Sequence, residues 1–377
     1  MKVNFRGYYR PTDNEFIQLW NDGFFVLEAN ILLNMYRYTP KTRKEFINIL
    51  NKISDRIWIP YQVAIEYHKN RLNVINHQIL AYENIEQSLN DNKNRIKNDL
   101  NAYSLHPYIE VKSIIEKIED KIAEINKELN ENKKEHPNLF DDDDIKKIIT
   151  TLFEGKVGSS CPQDVLKKIY AKGKERFENK IPPGYKDNNK DGLEKYGDLI
   201  LWYQIIDHAK SIKKPIILIT DEKKDDWWLK FNGEIISPRP ELINEMFTKA
   251  GVNFYMYKTA NFVEYAKEHF KSPIDQDSID EVRDIEQSDE KFIGPLGKAA
   301  NELMKRLRDD EKNLTLLQST ATLSPILKKV LEEQQSLVYR LQKDDLDKLS
   351  KFLKNRNDNI SDFQSNDSDE QSDKEMD

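Results

Sequence analysis

The sequence predicts an α/β protein: a parallel sheet sandwiched by helices, interrupted by an inserted helical hairpin and continued by a helical C-terminal extension. Three observations carry this. Short strand-like runs, "GFFVLE", "DRIWIP" and "KPIILIT", alternate with segments of helical spacing. "KPIILIT" is almost wholly apolar, as a strand buried on both faces of a parallel sheet must be. Residues 71–150 abandon the strand pattern and keep only a three-and-four-residue apolar repeat among Asn, Lys and Glu.

Taken in order, "GFFVLE" ends on Glu28, and "TRKEFINILNKI" follows with Phe46, Ile49, Leu50 and Ile53 at helical spacing. After "RIWIP" the chain enters the insertion. Leu72, Ile75, Ile79, Tyr82 and Leu89 mark a first long helix, and Ile114, Ile118, Ile122, Ile125 and Leu129 a second, with Pro107 as the break between them. This pattern reads as an antiparallel, coiled-coil-like pair. "DDDDIKKII" opens a further helix, its acids placed where a helix N-terminus favours them. "IPPGYKDNNKDG" is a loop rich in turn residues. "GDLILWYQIIDHA" is a helix with Leu199, Ile200, Trp202, Ile205 and Ile206 facing inward. "GEIISP" and "NFYMYKT" read as strands, "RPELINEMFTKA" and "ANFVEYAKEHF" as helices. The predicted domain therefore runs over 1–270. A linker over 271–295, a helical region over 296–355 and a disordered acidic tail over 356–377 complete the chain.

Composition narrows the classes. Of 377 residues, 38% are hydrophobic and 33% charged, which suits a soluble protein with a sizeable core. No apolar run nears the roughly 20 residues that span a bilayer, and the first residues lack the apolar region of a secretory signal. A lone cysteine, Cys161, excludes a disulfide framework and predicts a reducing, cytoplasmic location. The net charge is −7, of which residues 361–377 carry −6 (seven acids, one lysine), so the body is near neutral at −1. Any basic groove must be local.

In open parallel sheets, ligands bind at the carboxyl ends of the strands. Glu28 ends the first strand there, and Thr220 and Asp221 end "KPIILIT". Glu66 lies on the helix after "RIWIP", and Asp198 opens the helix before "KPIILIT". Four carboxylates brought together repel one another unless a hard cation neutralises them, and Mg²⁺ or Mn²⁺ prefers such oxygens. Asp225 is a further candidate ligand, and Asn30 and Thr220 are candidates to orient carboxylates or substrate. Lys69, Arg71, Lys223, Lys224 and Arg239 surround this rim in sequence and are candidate phosphate contacts.

The segments "VLEANILLNMYRY", "RIWIPYQVAIEYHKNRL", "IPPGYKD", "KYGDLILWYQII", "ILITDEKKDDWW" and "SPRPELI" together resemble the PIN-domain nucleases, in the PIN-like subgroup with a large helical insertion. The resemblance implies a metal site at Glu28, Glu66, Asp198 and Asp221, and hydrolysis of RNA, less often DNA, in the presence of Mg²⁺ or Mn²⁺. By analogy it also implies a bacterial toxin-like or phage-defence setting. Family members usually carry aspartate at the first of these positions. Glu28 adds one methylene and one rotor.

Each acid also has an ordinary structural reading. Glu28 can cap the following helix, Glu66 can pair with Lys69, Asp198 can serve as a first-turn acid, and Asp221 can belong to a polar loop. The alternative to an endonuclease is accordingly a scaffold, or a nucleic-acid- or partner-binding protein, that kept the fold and lost full activity. The hairpin is open to packing on itself, clamping substrate or binding a protein partner or second copy, and the C-terminal helices to docking on the core, pairing with a second copy or binding another protein. No nucleophile elbow, phosphate loop or zinc-type cysteine cluster is present in the sequence.

Overall fold

Phe24–Leu27 (β1) lies between Ile57–Trp58 (β2) and Ile216–Ile219 (β3), and Phe254–Tyr257 (β6) flanks β3. All pairings in this sheet are parallel and the order is β2–β1–β3–β6. The structure, a computed structural model, describes residue 1 and residues 5–288. The register sets Leu27 beside Ile219 and Ile219 beside Tyr257. The residues leaving these strands, Glu28, Thr220 and Lys258, therefore emerge along one edge. β1 and β3 are buried almost throughout, which is why both read as apolar runs.

Helices flank the sheet. Pro40–Lys52 (α3), Thr259–Phe270 (α10) and Gln276–Ser288 (α11) pack on one another. Gly197–Ile212 (α8) contacts both Tyr61–Asn101 (α4) and Pro240–Ala250 (α9). Asp13–Asp22 (α1) starts from a capping box in which Thr12 and Glu15 satisfy each other's backbone N–H groups. It carries Trp20 into a stack on Phe262, 5.9 Å between ring centres. The inward residues expected for α3 (Phe46, Ile49, Leu50, Ile53) and α8 (Leu199, Ile200, Trp202, Ile205, Ile206) are all buried. Gln163–Glu178 (α7) packs through Ile169 and Phe177 against Tyr196, Leu199 and Ile200, fixing the start of α8.

α4 is 41 residues long, roughly 60 Å at 1.5 Å per residue. Its first turns belong to the core, where Val63, Tyr67, Val74 and Ile75 are buried. Its outer part pairs with Val111–Glu135 (α5) through Lys97–Glu119 (2.8 Å) and Lys133–Glu83 (2.9 Å). The excursion is thus a prolongation of the helix that bears Glu66. Asp144–Phe153 (α6) returns the chain to the core, with Asp143 capping Lys146 N at 2.7 Å.

"GEIISP" is a strand, as expected, but it lies outside the main sheet. As Glu234–Pro238 (β5) it pairs antiparallel with Trp228–Phe231 (β4), because the short turn through Asn232 and Gly233, both at positive φ, closes a hairpin. The stretch read as a linker is helical over Gln276–Ser288. Ile274, Ile279 and Val282 are buried against the core, and Glu281 accepts hydrogen bonds from Thr39 and Thr42 of the α3 start. Its apolar period is diluted by acids, which made it look like a spacer. The helical region expected over 296–355 and the tail over 356–377 lie outside the described residues. Among the described residues, no helix is long and apolar enough to cross a membrane.

Candidate active site

At the carboxyl edge of the sheet, Glu28 is the N-cap position of Ala29–Asn34 (α2), and its backbone N–H bonds to Ile219 O at 3.1 Å. Its side chain is buried and accepts a short hydrogen bond from the Thr220 hydroxyl. Thr220 Oγ1 in turn accepts the backbone N–H of Glu222 at 3.0 Å. One threonine thus joins the carboxylate that ends β1 to the loop that follows β3.

Glu66 comes from the second turn of α4 and accepts from Gln62 Nε2 at 2.7 Å. Gln62 N also bonds to Gln204 Oε1 at 3.1 Å, which ties α4 to α8 at this level. Gly197 opens α8 directly against this group: a β-carbon there would lie 3.3 Å from Glu66 Oε1. The next residue, Asp198, accepts from Trp227 Nε1 at 3.2 Å. The neighbouring Trp228 donates to Glu222 O at 2.7 Å, so the two tryptophans of "DDWW" brace the Asp198 and Glu222 segments.

The charges in this cluster disturb one another. Burial pushes the Glu28 carboxyl well above its ordinary value; the Thr220 bond opposes this, while Glu222, Asp198 and Glu66 push it further up. Burial also raises Glu66, opposed by Gln62 and reinforced by Asp198, with Lys190 and Lys69 pulling it down. For Asp198, burial raises the value, Lys224 opposes, and Asp187 and Glu222 add to the rise. Burial works against the Lys224 charge, yet Asp198 and Glu222 outweigh it and hold its pKa above the usual range. Four carboxylates from separate stretches of chain, Glu28, Glu66, Asp198 and Glu222, therefore share one field.

Two members of this neighbourhood were not singled out in the sequence. Glu222 stands one residue beyond the expected Asp221. Side chains leaving a strand alternate in direction, so Thr220 and Glu222 fall on the Glu28 side and Asp221 on the other. Both Asp221 oxygens are taken up there: Oδ2 by Asn34 Nδ2 (3.0 Å), Oδ1 by Thr259 N (3.1 Å) and Thr259 Oγ1 (2.6 Å). Lys258 Nζ bonds to its carbonyl at 2.9 Å. Asp187, in "IPPGYKD", is buried and paired with Lys190 at 2.7 Å and Lys224 at 3.1 Å. The loop that carries it is pinned by buried Asp226, whose Oδ2 accepts from Gly184 N (2.9 Å) and Lys186 N (3.1 Å). The period-two step past "ILIT" was the available signal for Glu222.

The other expected residues are distributed as follows. Asp225 is exposed and paired with Lys230 (2.9 Å) and Lys186 (3.6 Å), away from the buried carboxylates, because it sits on the outside of the turn before β4. Arg71 is not a free phosphate contact: it is nearly buried and ion-paired with Asp143, the cap of α6, which also accepts from Tyr36 at 2.9 Å. Arg239 is held by Glu241 at 2.7 Å and Lys223 reaches Gln287 O at 3.4 Å. Lys224 points into the carboxylates, not outward. Lys69 is exposed beside Glu194, at 3.8 Å. Asn30 is exposed in the first turn of α2.

A hard divalent cation suits this donor set, since every candidate ligand is a carboxylate and their mutual repulsion is incompletely relieved. Among the described residues, no group of three His, Cys, Asp or Glu side chains stands close enough to hold an ion.

A parallel sheet with acidic side chains from four chain segments near the carboxyl ends of its strands defines the class, an α/β fold whose family is of nuclease type. Residues 24–242, more than half of the chain, match the PIN-like domain, and the protein belongs to that family. No curated protein and no solved structure matches the chain.

Proposed function

We propose that this protein is a divalent-metal-dependent endonuclease that hydrolyses phosphodiester bonds, with RNA as its substrate. The observation that carries this reading is the shared field of Glu28, Glu66, Asp198 and Glu222, each from a different chain segment, beside the edge where parallel sheets bind ligands. Burying like charges together costs stability, and a fold retains such a cluster where a ligand uses it.

In this reading Glu28, Glu66, Asp198 and Glu222 would hold Mg²⁺ or Mn²⁺, which would supply water activation and charge neutralisation at the phosphoryl group. The chain's own residues prepare the site. Thr220 fixes the Glu28 rotamer and the Glu222 backbone through one hydroxyl. Trp227 fixes the Asp198 carboxylate, and the absence of a side chain at Gly197 lets Glu66 approach. Exposed Lys69 and Lys190 flank Glu66 and supply positive charge for the substrate backbone.

The test is cleavage of labelled single-stranded RNA and DNA with Mn²⁺, Mg²⁺ or EDTA, beside Asp198→Asn. The expected result is metal-dependent cutting, faster on RNA, that falls at least about a hundredfold in the folded variant. Full activity of folded Asp198→Asn would remove the cluster from the reaction.

A further inference from the structure

Lys224 is the one lysine of the phosphate-contact candidates whose ammonium lies among the carboxylates. Its Nζ stands 2.8 Å from Glu222 Oε2, 3.1 Å from Asp187 Oδ2 and 3.4 Å from Asp198 Oδ2. Three acids from three chain segments thus converge on a single cation. Its backbone is fixed as well: Lys224 N donates to Glu222 Oε1 at 3.0 Å, and Lys224 O accepts from Trp227 N at 3.1 Å. Two of the three partners, Asp198 and Glu222, are carboxylates that the nuclease reading assigns to the metal. An ammonium and a divalent ion placed between the same two carboxylates compete, because their like charges repel and they claim the same space.

We propose that Lys224 is a built-in counterion that fills the carboxylate cluster in the free protein, and that a divalent cation enters only by displacing it. This rests on the reading of the cluster as a metal site. The lysine neutralises buried Asp187 and the partly covered Asp198 intramolecularly, with three acids spread around one ammonium. Lysine suits the task better than arginine, because its charge is compact and its four-carbon stem swings aside without breaking a fork of fixed donors. Asp187, buried and paired also with Lys190, keeps one cation when Lys224 leaves.

The consequence is a penalty on metal affinity set by how often the lysine occupies the site. If the cluster is lysine-filled nine times in ten or more, removing the ammonium tightens Mn²⁺ binding about tenfold or more. The experiment is calorimetric titration of Mn²⁺ into the full-length wild type, Lys224→Met and Asp198→Asn, with folding of each checked by circular dichroism. Lys224→Met is expected to bind Mn²⁺ at least about tenfold more tightly than wild type, while melting at a lower temperature in EDTA. If wild type binds Mn²⁺, Asp198→Asn does not, and Lys224→Met shows unchanged or weaker affinity, the counterion proposal is overturned and the metal site stands. If neither wild type nor Lys224→Met binds Mn²⁺, both readings fall together.

Should Lys224→Met fail to fold, the wild type alone answers. Brief acylation with acetic anhydride, read by mass spectrometry, should label Lys224 slowly in EDTA and several-fold faster in Mn²⁺. Exposed Lys69 serves as the internal reference. Equal Lys224 labelling in the two conditions overturns the proposal.

Discussion

Replacing Thr220 by Val removes one hydroxyl and almost no volume, so it tests the link between β1 and the loop after β3 without opening a cavity. Two hydrogen bonds disappear: the one donated to Glu28 and the one accepted from Glu222 N. The first ends on a buried carboxylate that then loses its hydroxyl donor, which costs about 1–3 kcal/mol. The second is an ordinary backbone donor left unpaired, about 1 kcal/mol. Together the change should destabilise the protein by about 2–4 kcal/mol, or roughly 4–16 °C in melting temperature for a domain of this size. The assay is urea unfolding followed by tryptophan fluorescence, which reports global unfolding through five buried tryptophans, Trp227 and Trp228 beside the site among them. Mn²⁺ affinity should fall as well, since the Glu28 rotamer is released. A folded Thr220→Val within about 0.5 kcal/mol of wild type would show that the hydroxyl does not anchor Glu28.

Asp221 and Glu222 should separate cleanly. Glu222→Gln is expected to abolish cleavage in a folded protein, whereas Asp221→Asn should lower the urea midpoint, because the amide cannot accept all three bonds from Asn34 and Thr259, yet retain cleavage per folded molecule. The reverse pattern would return Asp221 to the site. Gly197→Ala keeps a helical backbone position but places a methyl 3.3 Å from Glu66 Oε1; cleavage should drop about tenfold or more with melting little changed, and unaltered turnover would show that Glu66 has room to spare. His208 lies flat on Trp58 at 3.9 Å, and burial lowers its pKa from 6.5 to about 4. The fold favours the neutral ring, so this stabilisation is complete above about pH 6.5 and is lost as pH falls toward 4, at most about 3 kcal/mol. His208→Phe, which keeps the stack and does not titrate, should therefore gain on wild type between pH 7.5 and pH 4.5; a constant difference would refute the linkage.

Much of this was legible in the chain itself, for a physical reason. β1 and β3 are buried on both faces, and burial leaves an apolar run that ends where the polar edge begins. That boundary marked Glu28 and Thr220. Helical periodicity marked α3 and α8, which bury one face in the core, and the long pair α4 and α5, whose apolar repeat is half-buried between the two helices over most of its length. Asp198 was singled out because it opens the helix that leads into β3 and matches the acid of the family's "YGD" segment. Where apolar residues are sparse the signal faded: α11 buries only a narrow face among acids, and of the surface hairpin only β5, not β4, was readable as a strand.

Tertiary structure alone decided which charges meet. Position in the sequence set Lys224 with Lys223 and Arg71 among phosphate contacts. Packing turned Lys224 inward onto Asp187, Asp198 and Glu222, and committed Arg71 to the cap of α6. The same holds for the adjacent acids after β3. Sequence shows two neighbouring carboxylates and a preceding threonine. Only the direction each side chain leaves the strand gives Asp221 to Thr259 and Glu222 to the cluster. Hydrophobic burial is dictated by composition along a local stretch and is therefore readable from it. The partner of a charge depends on a few ångströms of distance between segments far apart in sequence, and that distance exists only once the chain has folded.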